Sequence, residues 1–125
     1  MGSARSGASR ILVPLVGRAL QRILSEHHVT VESDPHRAVD RLIADDTFDL
    51  ILCDLHLPQF RGEGLLEAVT RAGRPAPARF VYMTGGAYLP GDQTVLESAP
   101  GGYVMKPFDP DEIRAFVDAA LRRCA

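Results

Sequence analysis

The sequence predicts an α/β protein in which five short parallel strands alternate with five helices, forming one sheet with helices on both faces. β-prone apolar runs alternate with segments whose apolar residues recur at helical spacing, from about residue 10 to residue 123. Residues 48–53 are apolar at all but one position, which is typical of a central parallel strand covered on both faces. The 125 residues, 46% of them hydrophobic, suffice for one domain.

The composition excludes several classes of protein. The formal net charge of −2 argues against nucleic-acid binding, which usually needs a concentrated basic face. No run approaches the roughly 18 apolar residues of a membrane span, which predicts a soluble protein without membrane insertion. Cys53 and Cys124 are far apart and predict reduced thiols in a cytoplasmic protein. Residues 1–9 predict a disordered lead-in or tag remnant, which leaves residues 10–125 as the domain.

The first two strand–helix units are predicted as follows. Residues 11–13 form the first strand, and Pro14 takes the first position of a helix, where its missing N–H costs nothing. Residues 29–31 form the second strand, and Asp34–Pro35 predicts an N-cap followed by a first-turn proline. The inward residues are Leu15, Val16, Ala19, Leu20, Ile23 and Leu24 in the first helix, and Ala38, Val39, Leu42 and Ile43 in the second.

The rest of the chain repeats this alternation. Strands are predicted at residues 48–53, 79–84 and 103–105. A loop over residues 55–64 precedes the third helix, and Asp109–Pro110 predicts the cap of the last one. The inward residues of the helices are Leu65, Leu66 and Val69 in the third, and Ile113, Phe116, Val117, Ala120 and Leu121 in the last, with a short fourth helix over 92–99.

Three polar side chains stand at strand ends, namely Asp54, Thr84 and Lys106. In such sheets functional residues gather at the carboxyl ends of the strands. A carboxylate nucleophile, a hydroxyl donor and a cation together suit phosphoryl transfer. Singly, each has an ordinary explanation as a turn former, a β-prone residue or a solvated charge. Lys106 is, however, the only lysine among 14 basic residues, and arginine does not replace lysine where a compact charge must reach a phosphoryl oxygen.

The residues around these positions resemble the receiver domain of two-component response regulators, including the receivers of hybrid sensor histidine kinases. The resemblance covers residues 10–123 and rests on Asp-Leu-His-Leu-Pro at 54–58, Met-Thr-Gly-Gly at 83–86 and Tyr-Val-Met-Lys-Pro at 103–107. It implies a flavodoxin-like fold and a place in a His-Asp phosphorelay, with a sensor histidine kinase or a histidine phosphotransfer domain as donor. Outside a longer hybrid kinase, its only reactions would be self-phosphorylation from a phosphohistidine and slow self-dephosphorylation. The resemblance is also compatible with a homodimer.

The resemblance also implies a role for each site residue. Asp54 is the phosphoryl acceptor, Lys106 contacts the phosphoryl group, and Thr84 turns its hydroxyl toward it. Tyr103 is the aromatic switch residue, although a plain packed aromatic is an equal alternative. Asp54 and the backbone carbonyl of His56 are ligands of a Mg²⁺ ion.

Other chemistry-bearing residues have simpler interpretations. Cys53 is predicted to be a buried core thiol. Three of the four histidines, His27, His28 and His36, have no partners at metal-ligand spacing and are predicted to lie on the surface. The motifs of P-loop ATPases, serine hydrolases and zinc proteases do not occur.

The chain departs from the family at the end of the first strand, where receivers carry an acidic pair that holds Mg²⁺ with the acceptor aspartate. Here Pro14 follows Val13 directly, and Glu26 is the first acidic residue. If Pro14 begins a helix, no residues remain for a connection that usually takes roughly 2–6. Either a segment between Val13 and Pro14 is missing from the sequence, or the acidic pocket is absent. A carbon–nitrogen distance of about 1.3 Å between them would indicate a bond.

The missing pair leaves alternative functions open. Without it Mg²⁺ has too few ligands, and the chain could be a pseudo-receiver, an interaction or dimerisation module that is not phosphorylated. A flavodoxin-like nucleotide or flavin binder is a third alternative, but the sequence has no phosphate-binding loop.

Overall fold

The computed structural model describes residues 9–14, 19–45, 47–57, 60–73, 79–85, 91–97, 99, 101–105 and 109–124. The strands in this part of the chain are Arg10–Pro14 (β1), His28–Glu32 (β2), Leu50–Asp54 (β3), His56–Leu57 (β4), Phe60–Arg61 (β5), Phe80–Thr84 (β6) and Tyr103–Met105 (β7). The helices are Ala19–Ile23 (α1), Pro35–Ala44 (α2), Gly62–Arg71 (α3), Asp92–Glu97 (α4) and Pro110–Cys124 (α5).

The central sheet has five parallel strands in the order β2-β1-β3-β6-β7. This confirms the predicted fold class. The chain moves from β1 outward to β2 and then returns to the other side of β1 to form β3. The order therefore reverses between β1 and β3, and in sheets of this kind ligands bind in the crevice at the carboxyl ends of those two strands.

The sheet separates two apolar clusters, as expected when side chains alternate between its faces. One cluster joins α2, α3 and α4 to the sheet, and the other joins α1 and α5 to the opposite face. The first contains Leu12, Ala38, Leu42, Phe48, Ile51, Cys53, Leu55, Leu65, Val69, Phe80, Tyr82 and Leu96. The second contains Ile11, Val13, Leu20, Leu24, Leu50, Leu52, Val81, Met83, Ile113, Val117 and Ala120.

Two predicted helix caps are confirmed. Asp34 has an extended backbone (φ −96°, ψ 113°), and its Oδ1 accepts hydrogen bonds from the N–H groups of His36 and Arg37 at 2.9 and 3.4 Å. Asp109 does the same for α5, where Oδ2 accepts from two first-turn N–H groups at 2.9 and 3.3 Å. In each helix the proline follows the cap directly, where no intrahelical N–H is needed.

The predicted start of the first helix at Pro14 is wrong. Pro14 is the buried last residue of β1, in register with Glu32, and α1 begins only at Ala19. A proline fits a strand end because few ladder hydrogen bonds are lost there. Residues 15–18, which lie outside the described residues, separate the two elements. The sequence left no residues for a strand-to-helix connection after Val13 only because the helix was predicted to begin at Pro14. Because Pro14 belongs to β1, that difficulty no longer arises.

The predicted loop at residues 55–64 also differs from the structure. It contains the antiparallel pair β4–β5, with His56 opposite Arg61 and Leu57 opposite Phe60, and α3 begins at Gly62. On α2 the predicted inward face is too wide, since Ile43 is 39% exposed while Ala38 and Leu42 are buried.

Ser9, which the sequence assigned to the lead-in, is held by contacts with the start of β2. Ser9 is 5% exposed. Its N–H donates to Nδ1 of His27 at 3.1 Å, and its carbonyl accepts from the N–H of His28 at 2.8 Å. The start of β2 therefore holds the chain before it enters β1.

Polar contacts connect the amino end of β1 with residues 45–49, which precede β3. The Arg10 guanidinium lies 4.3 Å from the ring centre of Phe48, with Nη1 2.9 Å from Oδ2 of Asp45. The Arg10 N–H donates to Asp49 Oδ2 at 2.8 Å, and the Asp49 N–H donates to the Arg10 carbonyl at 2.7 Å. Hydrogen bonds from Thr47, assisted by Arg10, lower the pKa of Asp45 to about 2.

Among the described residues, none of the helices combines the length and apolar character that crossing a bilayer requires.

Candidate functional site

Asp54 is the last residue of β3 and lies, partly exposed, at the crevice between β1 and β3. The backbone around it is held on both sides. The Cys53 thiol donates to the Asp54 carbonyl at 3.3 Å, and the N–H of Leu55 donates to the Met83 carbonyl of β6 at 2.8 Å. Cys53 is the buried thiol that the sequence predicted, and burial raises its pKa far above the ordinary value. It is therefore an inert support for the position of Asp54.

Thr84 ends the neighbouring strand β6. Because Asp54 is in register with Met83, Thr84 lies one residue beyond Asp54 on the adjacent strand. Its side chain is fully buried, and within the described part of the chain its Oγ1 has no hydrogen-bond partner. Burying a hydroxyl in this way costs about 1–3 kcal/mol. The structure thus places a donor without a fixed partner next to the strand that carries Asp54.

The next strand, β7, contains one further predicted residue, Tyr103. Tyr103 is partly buried against the cluster that contains Tyr82, which suits both the switch and the packing interpretation. Met105 is in register with Thr84, and Lys106 follows it directly in the chain but lies outside the described residues. His56, whose carbonyl the resemblance assigns to the metal, is the first residue of β4.

The residues present do not fit a magnesium site. Mg²⁺ requires near-octahedral oxygen coordination and gives up its waters reluctantly. At the crevice, β3 supplies the Asp54 carboxylate, whereas β1 supplies only buried Val13 and Pro14. In the described ranges no three His, Cys, Asp or Glu side chains form a group that could hold a metal.

Glu32 lies beside this end of β1 but is already engaged. Its side chain is 9% exposed, Oε1 accepts from Arg41 Nε at 2.9 Å, and Oε2 accepts from the Asp34 N–H at 3.2 Å. Burying a charge is tolerated when it is paired and hydrogen-bonded in this way. Glu32 therefore joins the end of β2 to α2 rather than contributing a free carboxylate to the crevice.

Sequence reasoning missed two other buried polar residues. His27 was predicted at the surface, which is wrong, since its side chain is 4% exposed and its Nε2 lies 3.9 Å from Oδ1 of Asp118 on α5. Asp92, the first residue of α4, is fully buried. His27 contacts Ser9 and Asp118, which lie far from it in the chain, and the local sequence carries no signal for such contacts.

The fold and the strand-end residues define a doubly wound α/β protein with an aspartate at the switch point of its sheet. The model of the response regulator receiver domain family matches residues 13–118. The chain belongs to this family, as the sequence predicted.

The relatives agree with this assignment. The response regulator PmrA of Pseudomonas aeruginosa is 31% identical over 86 residues, which are 69% of this chain and 38% of PmrA. The chain thus spans less than half the length of that relative. Two solved structures share the fold. The receiver domain of the sensor histidine kinase PA1611 from Pseudomonas aeruginosa, whose cleft coordinates a magnesium ion, has a TM-score of 0.77 at 21% identity, covering 92% of this chain and 98% of that one. The beryllofluoride-activated NtrC4 receiver dimer has a TM-score of 0.76 at 16% identity, covering 93% and 98%.

Proposed function

We propose that Asp54 accepts a phosphoryl group in a His-Asp phosphorelay. The observation that carries the proposal is the position of Asp54 in a receiver-family chain, at the switch point of the sheet. The neighbouring strand ends in Thr84, whose buried hydroxyl has no hydrogen-bond partner in the described part of the chain. A nucleophilic carboxylate needs a donor and a cation near the transferred group, because the charge of the transition state develops on the phosphoryl oxygens. Thr84 and Lys106 are the residues proposed for these roles.

The proposed reaction forms one bond and breaks another. A carboxylate oxygen of Asp54 attacks the phosphorus of a phosphohistidine, the new O–P bond forms, and the P–N bond breaks with its electron pair going to the imidazole. The imidazole nitrogen is then protonated by solvent. Lys106 would offset the charge of the phosphoryl oxygens, and Thr84 would donate its hydroxyl hydrogen to one of them. Attack of water on phosphorus reverses the modification and releases phosphate.

The proposed partners follow from this chemistry. The donor would be a histidine kinase or a histidine phosphotransfer domain, and the compartment would be the cytoplasm, where such donors act. A hybrid kinase is one longer protein that would contain such a domain. A second copy of the chain is a partner for the phosphorylated state, as the activated NtrC4 receiver forms a dimer.

The test is labelling with a small phosphodonor such as acetyl phosphate, read by intact mass. We expect the mass of one phosphoryl group on the parent chain and on Asp40→Asn, a control on the exposed face of α2. Asp54→Asn should take up none. If Asp54→Asn were labelled as fully as the parent, another residue would be the phosphoryl acceptor.

Lys106→Arg tests the proposed contact between Lys106 and the phosphoryl group. The pseudo-receiver alternative, which the similar proteins do not support, is tested by labelling of the parent chain. The bulkier planar guanidinium does not replace an ammonium that contacts a phosphoryl group, so labelling should slow although the charge is kept. A chain that stays unlabelled in the parent form would instead be an interaction module.

A further inference from the structure

The two sides of the crevice between β1 and β3 differ in chemistry. The β3 side offers the Asp54 carboxylate, whereas the β1 side ends in buried Val13 and Pro14. Residues 1–25 contain no aspartate or glutamate, so the connection from β1 to α1 brings no carboxylate to this edge either. The β1 side therefore has no acidic side chain to offer a cation.

Glu32 does not compensate for this. Its two carboxylate oxygens accept from the Arg41 guanidinium and from the Asp34 N–H, and these two contacts hold the carboxylate beside α2. The pair of Glu32 with Arg41 is also close to neutral as a unit. Moving this carboxylate toward Asp54 would leave Arg41 without its partner.

The charges at the Asp54 site also argue against a bound divalent cation. A divalent cation stabilises a cluster of carboxylates by offsetting their mutual repulsion. Here Asp54 is the one carboxylate that the described part of the crevice contributes, and the single positive charge of Lys106 follows β7 in the sequence. The described part of the crevice therefore holds no pair of carboxylates whose mutual repulsion a cation would relieve. Neither the ligands nor the electrostatics of the site favour a doubly charged ion that must lose water to bind.

We propose that the Asp54 pocket holds no divalent cation at millimolar concentration, and that it accepts the phosphoryl group without one. This rests on the acceptor role proposed above for Asp54. The charge of the transferred group is then offset by protein donors alone, which predicts slow phosphorylation that is indifferent to metal.

The first experiment titrates the full chain with MgCl₂ and follows its melting temperature. A ligand that binds only the folded state raises the melting temperature by mass action. The parent and Asp54→Asn should respond identically. A saturable rise in the parent that Asp54→Asn lacks would overturn the proposal.

The second experiment compares acetyl phosphate labelling in millimolar MgCl₂ with labelling in excess EDTA. Equal rates and extents are expected. Labelling that requires Mg²⁺ would overturn this proposal and leave the acceptor function intact. No labelling under either condition would refute the acceptor function itself and, with it, the claim of metal-free transfer.

A third experiment restores a carboxylate to β1. Pro14→Asp and its matched control Pro14→Asn both remove the proline ring, and only the first adds a charge. In millimolar MgCl₂ the melting temperature of Pro14→Asp should rise by about 2 °C or more, while that of Pro14→Asn stays constant. Equal responses of the two folded variants would show that the end of β1 is not the missing half of a metal site. If Pro14→Asp does not fold, the titration of the parent decides.

Discussion

Replacing Thr84 with valine tests whether burial of the hydroxyl lowers the free energy of unfolding. Thr84 is fully buried, and its Oγ1 has no partner in the described part of the chain. Valine keeps the shape of the side chain and its β-branching but substitutes a methyl group for the hydroxyl. Since an unpaired buried hydroxyl costs about 1–3 kcal/mol, Thr84→Val should raise the free energy of unfolding by about 1–2 kcal/mol. For a domain of this size that is a rise of about 4–8 °C in melting temperature.

The assay is equilibrium unfolding in urea, with Thr30→Val as the matched control. Thr30 lies on β2 and is only partly buried, so the same chemical change there should alter stability by less than about 0.5 kcal/mol. The variant Thr84→Val should also lose any shift in melting temperature that acetyl phosphate produces in the parent. A Thr84→Val protein less stable than the parent by about 1 kcal/mol would refute the reasoning, because that loss indicates a hydroxyl with a native partner.

Three further outcomes are expected. Asp34→Ala should lower the free energy of unfolding by about 1 kcal/mol in urea melts, because the first turn of α2 loses its cap; an unchanged value would mean that water replaces the cap. Asp45 has a pKa lowered to about 2 by hydrogen bonds from Thr47, so its stabilisation is complete above its ordinary pKa of 3.8 and disappears as the pH falls toward 2. Thermal melts of Asp45→Asn and the parent should therefore converge over that range, and a gap that persists at pH 2 would contradict the assignment. In a Cys124→Ser background, Cys53 should resist a thiol-specific reagent at pH 8 until urea unfolds the protein, and rapid native labelling would contradict its burial.

The features that the sequence predicted correctly are those determined by neighbouring residues. The alternation of strands and helices is visible because each apolar run must face one of the two clusters. The caps at Asp34 and Asp109 are recognisable because both the capping side chain and the proline act within one turn. Asp54 and Thr84 were placed at one edge of the sheet by the rule that parallel strands share their carboxyl ends.

The errors come from choices that depend on distant residues. Proline is compatible with both a strand end and a helix start, and the pairing of Pro14 with Glu32 decided between them. The burial of His27 depends on Ser9 and Asp118, each far from it in the sequence. Such contacts between distant elements override local propensity, and no local pattern reports them.

The two ends of β1 differ in the polar contacts that hold them. At the amino end, Arg10 and Asp49 exchange backbone and side-chain hydrogen bonds that lock β1 against the segment before β3. At the carboxyl end, Pro14 has no N–H to donate, and the Thr84 hydroxyl has no hydrogen-bond partner among the residues that the structure describes. Amide hydrogen exchange in β1 should accordingly be slower at Arg10 than at Val13. We therefore expect the end of β1 beside Asp54 to change its backbone conformation more readily than the end that carries Arg10.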